Sequence, residues 1–245
     1  MTIRKIALAG ALALCATQSF AEDLTVGVTT TGVPFTFVDT GTQEPTGAMV
    51  DLAAAIAEDI GMTPEFAVNQ FSALIPALQT DKIDIISAGM FATDKRKEVV
   101  DFSTPVYSYG DAAFVAAEDE GSYQLDDFAG EVVGAQIGTT FADQLQAKGI
   151  FSEVKLYDSL VDIMRDVKLG RIKAGFGDKP IIAYQIAQNP ALGVRLVDGY
   201  TPMGVGDVAL AVSKDKPELL EQVNAAIAEM QESGELDEIF GKYGL

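Results

Sequence analysis

The stretch FSALIPALQTDKIDIISAGMFATDKRKEVVDFS, residues 71–103, decides the fold class, because helical and strand patterns alternate within it. Ser72 can cap a helix through ALIPALQT, where Pro76 lies near the start and costs less than it would in mid-helix. The apolar run DIISAG, residues 84–89, predicts a strand, and Thr93 can cap a short helix through DKRKEVV. A strand flanked by two helices indicates an α/β chain.

The same alternation extends in both directions from this stretch. Upstream, LTVGVTT and EFAVN predict strands on either side of an amphipathic helix at 50–61. Downstream, strand and helix patterns alternate at residues 131–136, 138–149, 153–157, 160–167, 172–178, 179–188 and 193–197. Strands that alternate with helices predict parallel sheets covered on both faces, and two such runs predict two α/β lobes.

The order of these elements predicts a discontinuous first lobe. Residues 110–121 are strand-like and then polar, as a connector would be, and a long helix at 217–233 follows the last strand pattern. We expect this C-terminal segment to return to the first lobe. The expected division is therefore 22–109 plus 208–245 for the first lobe, and 110–207 for the second.

The first 21 residues read as a secretory signal peptide. Arg4 and Lys5 form the charged start, and IALAGALALCA is an apolar core too short to span a bilayer comfortably. The residues Ser19-Phe20-Ala21 fit the small-x-small cleavage rule, which makes Glu22 the expected first residue of the mature chain. We expect cleavage near Ala21 and a periplasmic protein.

The composition excludes several classes of function. Cleavage would remove two cations and no acids, which changes the formal charge from -19 to -21. Such acidity argues against nucleic acid and anionic membrane surfaces as partners. Histidine is absent, and Cys15 is the only cysteine and lies in the signal, so we expect no metal site or other cofactor. An enzyme would have to use Asp, Glu, Lys, Tyr or Ser.

With these motifs the chain resembles the periplasmic solute-binding proteins of the polar amino-acid ABC transporter family, family 3. The segments that carry the resemblance are VTTTGVPFTF (28–37), G-x-x-VDLAAAIAEDIG (47–61), FSALIPALQTDKIDI (71–85), SAGMFATDKRKEVVDFSTPVY (87–107), GTT (138–140), AGFGD (174–178) and SGELDEIFGKYG (233–244). The resemblance implies an α/β, two-lobed periplasmic binding protein fold with parallel-rich sheets and two hinge strands. It also implies a monomeric, non-enzymatic receptor that captures an amino-acid-like zwitterion and delivers it to an ABC permease in the inner membrane.

The resemblance assigns the ligand's carboxylate to Arg96. A planar guanidinium can hold a carboxylate through two parallel hydrogen bonds, which a lysine cannot do. The alternative is a solvated cation paired with Asp94 or Glu98. We expect the neighbouring Lys95 and Lys97 to face water.

The second lobe is expected to contact both ends of the zwitterion. Thr139 and Thr140 begin a helix, whose free N–H groups and dipole favour an anion. The resemblance gives them the same carboxylate, and it gives Asp178 the ammonium group. An ammonium taken out of water needs a charged acceptor. The alternatives are ordinary helix capping by Thr139 and by Asp178.

Four further positions are expected to line the ligand site. The resemblance makes Phe71 an aromatic wall, although it could instead be an ordinary core phenylalanine. It makes Ala88 and Gly89 a place where the backbone approaches the ligand. Phe91 replaces a serine or threonine that is common in the family, and it either supplies a second ring or shrinks the pocket. The site departs from the family pattern at two more positions. Family members often carry an acid where Thr29 stands and an aromatic residue where Gly32 stands. These departures leave the identity of the ligand's side chain undetermined.

Three rivals to an amino-acid receptor remain open at this point. The first is a periplasmic lyase of the cyclohexadienyl dehydratase type on the same scaffold. The second is a sensor module that works with a separate membrane receptor. The third is a receptor for another zwitterion, such as a compatible solute or an opine.

Overall fold

The computed structural model describes residues 22–245. The predicted signal peptide, residues 1–21, lies outside the described residues. Between residues 22 and 245, none of the helices is both long enough and apolar enough to cross a membrane.

Strands and helices alternate along most of this chain. The strands are β1 (Asp23–Val28), β2 (Thr31–Gly32), β3 (Thr36–Val38), β4 (Pro45–Thr46), β5 (Thr63–Val68), β6 (Ile85–Ile86), β7 (Asp101–Phe102), β8 (Tyr107–Ala116), β9 (Val132–Gln136), β10 (Glu153–Tyr157), β11 (Ala174–Asp178), β12 (Val194–Leu196), β13 (Val205–Val208) and β14 (Ala211–Val212). The helices are α1 (Ala48–Asp59), α2 (Leu74–Gln79), α3 (Asp94–Lys97), α4 (Thr140–Lys148), α5 (Leu160–Lys168), α6 (Lys179–Gln188), α7 (Pro217–Ser233) and α8 (Glu235–Gly241).

The first sheet has five strands in the order β5-β1-β6-β14-β7. β1 pairs in parallel with β5 and with β6, so the three strands end at the same edge. Parallel neighbours need crossover connections, which α1 and α2 provide. The apolar face of α1 is buried at Met49, Ala53 and Ile56, as its sequence periodicity predicts. The loops after β5 and β6 therefore lie side by side at this edge.

The second sheet has the order β10-β9-β11-β8-β12, and β13 also pairs with β8. β9 pairs in parallel with β10 and β11, so their carboxyl ends share an edge. Gln136 and Asp178 are the last residues of β9 and β11. In open α/β sheets such an edge is where ligands bind.

Two strands connect the sheets, and we call the residues around the five-stranded sheet the first lobe and those around the six-stranded sheet the second. β8 runs from the first lobe into the second, and β13 returns beside it in antiparallel register, with Gly206 opposite Tyr109 and Val208 opposite Tyr107. The expected lobe boundaries fall inside β8 and at the end of β13. The exact division of the chain stays a prediction.

Each of the two large sheets is mixed, parallel on one side and antiparallel on the other. β8 meets β11, β12 and β13 in antiparallel register, and β14 does the same with β6 and β7. The reason is that the chain enters the second lobe on β8 and re-enters the first on β13 and β14, and β8 and β14 run against the crossover strands beside them. A small three-stranded sheet, β2-β3-β4, is an addition that the sequence patterns did not predict.

Candidate functional site

Arg96 lies where the two lobes touch. Thr93 caps the short helix α3 by accepting a hydrogen bond from the Arg96 backbone N–H, and the Arg96 side chain is buried. Its Nη1 donates to the Phe91 carbonyl at 2.8 Å, and its Nη2 donates across the cleft to the Gly138 carbonyl at 3.0 Å. These bonds engage two of the five N–H donors of a guanidinium, which leaves donors for an anion.

Burial lowers the pKa of Arg96, and the negative charges of Asp178 and Asp143 oppose that shift. An arginine remains protonated at neutral pH in spite of a lowered pKa. The guanidinium carbon also lies 5.6 Å from the centroid of the Phe71 ring. Phe71 begins a single 3-10 turn after β5 and is half-buried, so one face of the cation is covered by an aromatic ring.

Gly138 brings the second lobe against the first. Its φ of +81° favours glycine, and a Cβ there would lie 3.0 Å from the Cα of Ser72. A side chain at this position would therefore push the lobes apart. Beside this contact, Lys95 Nζ pairs across the cleft with Asp143 at 2.6 Å, although both side chains are largely exposed. Lys97, by contrast, forms its ion pair with Asp94 on its own helix, at 3.9 Å.

Thr139 and Thr140 lie at the start of α4, beside Arg96. The Thr139 hydroxyl accepts from the Ala142 N–H at 3.2 Å and donates to the Gln136 carbonyl at 2.7 Å, so it caps the helix. Thr140 is the first helical residue and is half-buried. Together with Arg96 and Gly138 they line a cavity of about 410 Å³. The positive end of the α4 dipole and a guanidinium therefore face the same space.

Asp178 is the last residue of β11 and does not line this cavity. It occupies the N-cap position of α6, but its side chain makes no capping hydrogen bond. Instead it accepts a hydrogen bond at Oδ1 from the hydroxyl of Tyr109. Burial raises the pKa of Asp178, and the bond from Tyr109 and the charge of Arg96 partly offset the increase. The carboxylate is thus available to a cation rather than committed to capping its helix.

Tyr109 links the hinge to both lobes, and the sequence analysis did not identify it. It lies on β8, its ring is buried, and its hydroxyl also lies 3.2 Å from the Gly89 carbonyl of the first lobe. Burial, together with the neighbouring Asp178 carboxylate, raises the pKa of Tyr109 well above its usual value, so the hydroxyl stays protonated and donates. Its position on a strand that joins two lobes was the only sequence signal that could have indicated it.

Phe91 is a buried ring beside Tyr109, and its backbone carbonyl accepts the hydrogen bond from Arg96. Its ring centroid is 4.7 Å from that of Tyr109 and 5.6 Å from that of Phe141 on the second lobe. A Cβ on Gly206 would overlap the Phe91 ring, so the absence of a side chain there makes room for it. Phe91 is therefore a buried ring that packs against the hinge at Tyr109 and Gly206 and against Phe141 of the second lobe.

The remaining predicted positions surround this cluster. Ala88 and Gly89 are buried just beyond the end of β6, and Gly89 has a φ of +67°. Thr29, where family members often carry an acid, is buried, and its hydroxyl is 2.6 Å from that of Thr36. Between residues 22 and 245, no three His, Cys, Asp or Glu side chains are grouped in a way that could hold a metal ion.

By sequence, the chain matches a known protein family and a named relative. The model of a family described as bacterial extracellular solute-binding proteins, family 3, matches residues 24–245. The chain is 31% identical over 239 residues to the ABC transporter arginine-binding protein 1 of Escherichia coli (strain K12), and the match covers 97% of each protein.

Solved structures of amino-acid-binding proteins have the same fold as this chain. An ancestral arginine-binding protein bound to arginine matches with a TM-score of 0.84 and 37% identity, covering 91% of this chain and 98% of the other. The ancestral amino acid-binding protein AncCDT-1, a precursor of cyclohexadienyl dehydratase, matches with a TM-score of 0.79 and 31% identity, covering 90% and 95%.

Proposed function

Because the chain belongs to family 3 of the bacterial extracellular solute-binding proteins, we propose that it captures a small amino-acid-like zwitterion and delivers it to an ABC permease. The observation that carries the proposal is a pair of opposite charges at the contact between the lobes: Arg96, buried on the first lobe and bonded to Gly138 of the second, and Asp178, half-buried on the second and bonded to Tyr109. Each charge has a side-chain hydrogen bond, yet each keeps capacity for another partner.

The two ends of the ligand would take different partners. The carboxylate would meet the Arg96 guanidinium and the start of α4 at Thr139 and Thr140. The nitrogen would meet Asp178, with Phe71 and Phe91 covering the stem between the two ends. Backbone at Ala88 and Gly89 lies beside the amine end. A charge removed from water needs such partners, because an uncompensated buried charge is very costly.

Closure of the lobes explains capture. A zwitterion that touches both lobes stabilises the arrangement in which they meet, since only that arrangement offers all of its contacts. The contacts of Arg96 with Gly138 and of Lys95 with Asp143 support such closure. An amino acid has about ten heavy atoms, and roughly 1 kcal/mol per atom gives micromolar or tighter affinity.

The relatives support an amino acid as the ligand class. The Escherichia coli relative is named as an arginine-binding protein, and one solved relative is bound to arginine. Thr29 is uncharged and cannot balance a strongly cationic side chain on the ligand. We therefore propose an amino-acid-like ligand and do not propose arginine itself. The protein would act as a monomer in the periplasm, after cleavage near Ala21.

A lyase is the second candidate, because AncCDT-1 is a precursor of a dehydratase. Elimination requires a positioned proton donor, and a dehydratase has no use for an ammonium partner. Asp178 is held by Tyr109 beside aromatic rings and lies on the opposite lobe from Arg96, which favours a charge clamp over acid catalysis. We therefore propose that the protein binds without turnover, and that prephenate-like acids are not consumed.

Thermal unfolding with a panel of zwitterions tests the proposal. A ligand at about 100 times its dissociation constant adds roughly 2.7 kcal/mol to the free energy of unfolding. For a chain of this size that is an increase of roughly 5 to 11 °C in the midpoint. The panel would contain the common amino acids, N-methylated amino acids, opines and prephenate.

The expected result is a shift with at least one zwitterion and none with molecules that lack either charge. Consumption of prephenate, followed by its ultraviolet absorbance, would favour the lyase instead. No shift with any zwitterion in the panel would contradict the proposed function.

A further inference from the structure

We propose that α4 carries a latch, formed by Phe141 and Asp143, which holds the lobes closed through contacts with Phe91 and Lys95 of the first lobe and so sets how fast a captured zwitterion is released. This inference rests on the proposed function and names what controls release from the same site. Neither Phe141 nor Asp143 is among the residues assigned to the zwitterion.

Phe141 forms the buried half of the latch. It is the second residue of α4, on the second lobe, and only 4% of its surface is exposed. Its ring meets that of Phe91 on the first lobe at an interplanar angle of 84°, with 5.6 Å between the centroids. An aromatic pair in this geometry contributes free energy beyond that of the area it buries. Separation of the lobes would break the pair and return apolar ring surface to water.

Asp143 forms the exposed half of the latch. It pairs with Lys95 Nζ at 2.6 Å, although the two side chains are 55% and 79% exposed. An exposed ion pair changes an equilibrium constant by about fivefold or less, and salt screens it. Because residues two apart on a helix point in different directions, Phe141 and Asp143 hold the first lobe at two separate places.

The chain just before α4 also lies directly against the first lobe. A Cβ on Gly138 would be 3.0 Å from the Cα of Ser72, and the Gly138 carbonyl accepts a hydrogen bond from Arg96 at 3.0 Å. The start of α4 therefore contacts the first lobe through backbone, an aromatic ring and an ion pair. These contacts join protein atoms of the two lobes, so they stabilise closure whatever the side chain of the zwitterion.

The latch has a kinetic signature that a wall of the ligand site lacks. Contacts that exist only in the closed state shift the closing equilibrium by their own free energy, and therefore by the same factor for every ligand. A residue that touches the ligand changes affinity by different factors for different side chains. Because a ligand enters while the lobes are apart, loss of the latch should increase the release rate and leave the association rate nearly unchanged.

Release rates from the full mature protein test the buried half of the latch. The probes are the common amino acids and glycine betaine, and stopped-flow mixing gives both rates for each probe that binds. Phe141→Leu keeps an apolar side chain but removes the aromatic pair, and it should accelerate release roughly two- to tenfold, by one common factor for all probes. Phe151→Leu, a half-buried ring of the second lobe paired with Phe176 of the same lobe, is the matched control and should release as the wild type does.

A double-mutant cycle tests the exposed half. Lys95→Met and Asp143→Asn should each accelerate release about two- to fivefold, and the double variant should be no faster than the faster single one. Release from the wild type should accelerate as NaCl is raised to about 0.5 M, and this increase should be smaller in the variants. Asp126→Asn, whose ion pair with Lys148 lies within the second lobe, is the matched control.

The outcomes separate the latch from the proposed function. Unfolding curves without ligand first establish that each variant is folded. If a probe binds and both Phe141→Leu and Asp143→Asn release it at the wild-type rate, the latch is wrong while the receptor function stands. Acceleration factors that differ between probes would show that these residues touch the ligand, and would also overturn the latch. If no zwitterion binds the folded wild type, the function and the inference both fail.

Discussion

Replacing Arg96 with alanine should weaken ligand binding roughly 100-fold or more. Truncating one partner of a buried, hydrogen-bonded charge pair costs about 2 to 5 kcal/mol, and each 1.4 kcal/mol is a factor of ten. The Arg96 guanidinium is buried and lies beside Thr139 and Thr140 at the positive end of α4, so the ligand's carboxylate would lose its paired donors and their charge. Isothermal titration with a ligand identified in the zwitterion panel measures the loss.

Two further variants control this experiment. Arg96→Lys keeps the charge but loses the paired donors, and it should recover only part of the affinity. Lys97→Ala removes an exposed neighbouring cation whose ion pair is within its own helix, and it should bind as the wild type does. Unfolding curves without ligand must show that Arg96→Ala is folded, because Arg96 also joins Phe91 to Gly138. Wild-type affinity in a folded Arg96→Ala protein would show that the carboxylate binds elsewhere.

Replacing Asp178 with asparagine should abolish most of the binding without destabilising the fold. The ligand's nitrogen would lose its charged acceptor, and we expect a loss of roughly 100-fold, again from the cost of an unpaired buried charge. The carboxamide oxygen of the new side chain can still accept from Tyr109, so the local hydrogen bond remains. Asp198→Asn, on an almost fully exposed side chain of the second lobe, is the matched control.

The pH dependence of stability follows from the raised pKa of Asp178. Because burial disfavours the ionised carboxylate in the folded state, ionisation lowers stability once the pH exceeds the ordinary value of 3.8, and the penalty is complete above the folded-state pKa. Asp178→Asn should therefore unfold at the same or a higher temperature than the wild type at pH 7, and the difference should disappear below pH 3.8. Ligand affinity should fall as the pH decreases through the raised pKa. A large loss of stability at pH 7 would contradict this account of Asp178.

Much of the fold could be predicted from sequence periodicity. The strand predicted at 153–157 and the helices predicted at 179–188 and 217–233 have the same bounds in the structure. The three-stranded sheet was missed because its strands have only two or three residues, too few for an alternating pattern. The antiparallel halves of the sheets were missed because strand direction depends on how the chain crosses between the lobes, which local pattern does not record.

The site could be predicted only in part. The structure brings Arg96, Phe91 and Thr139 together because α3 and the start of α4 meet across the cleft. Tyr109 and Gly206 could not be predicted, since their roles depend on the pairing of β8 with β13 and on the reach of a tyrosine to Asp178.

The sequence predicted the exposure of the two lysines beside Arg96 but not the contact that one of them makes. Sequence reasoning placed both Lys95 and Lys97 in solvent, and both side chains are largely exposed. Lys95 nevertheless reaches Asp143 on the other lobe. Residues 95 and 143 are far apart in sequence, and only the packing of the two lobes brings them together.

A crystal structure of the mature protein with a ligand from the zwitterion panel tests the central claim most directly. The account predicts one ligand between the lobes, with its carboxylate oxygens within about 3.2 Å of the Arg96 guanidinium nitrogens and its charged nitrogen in contact with the Asp178 carboxylate. A ligand bound with Arg96 and Asp178 both turned away from it would contradict the account.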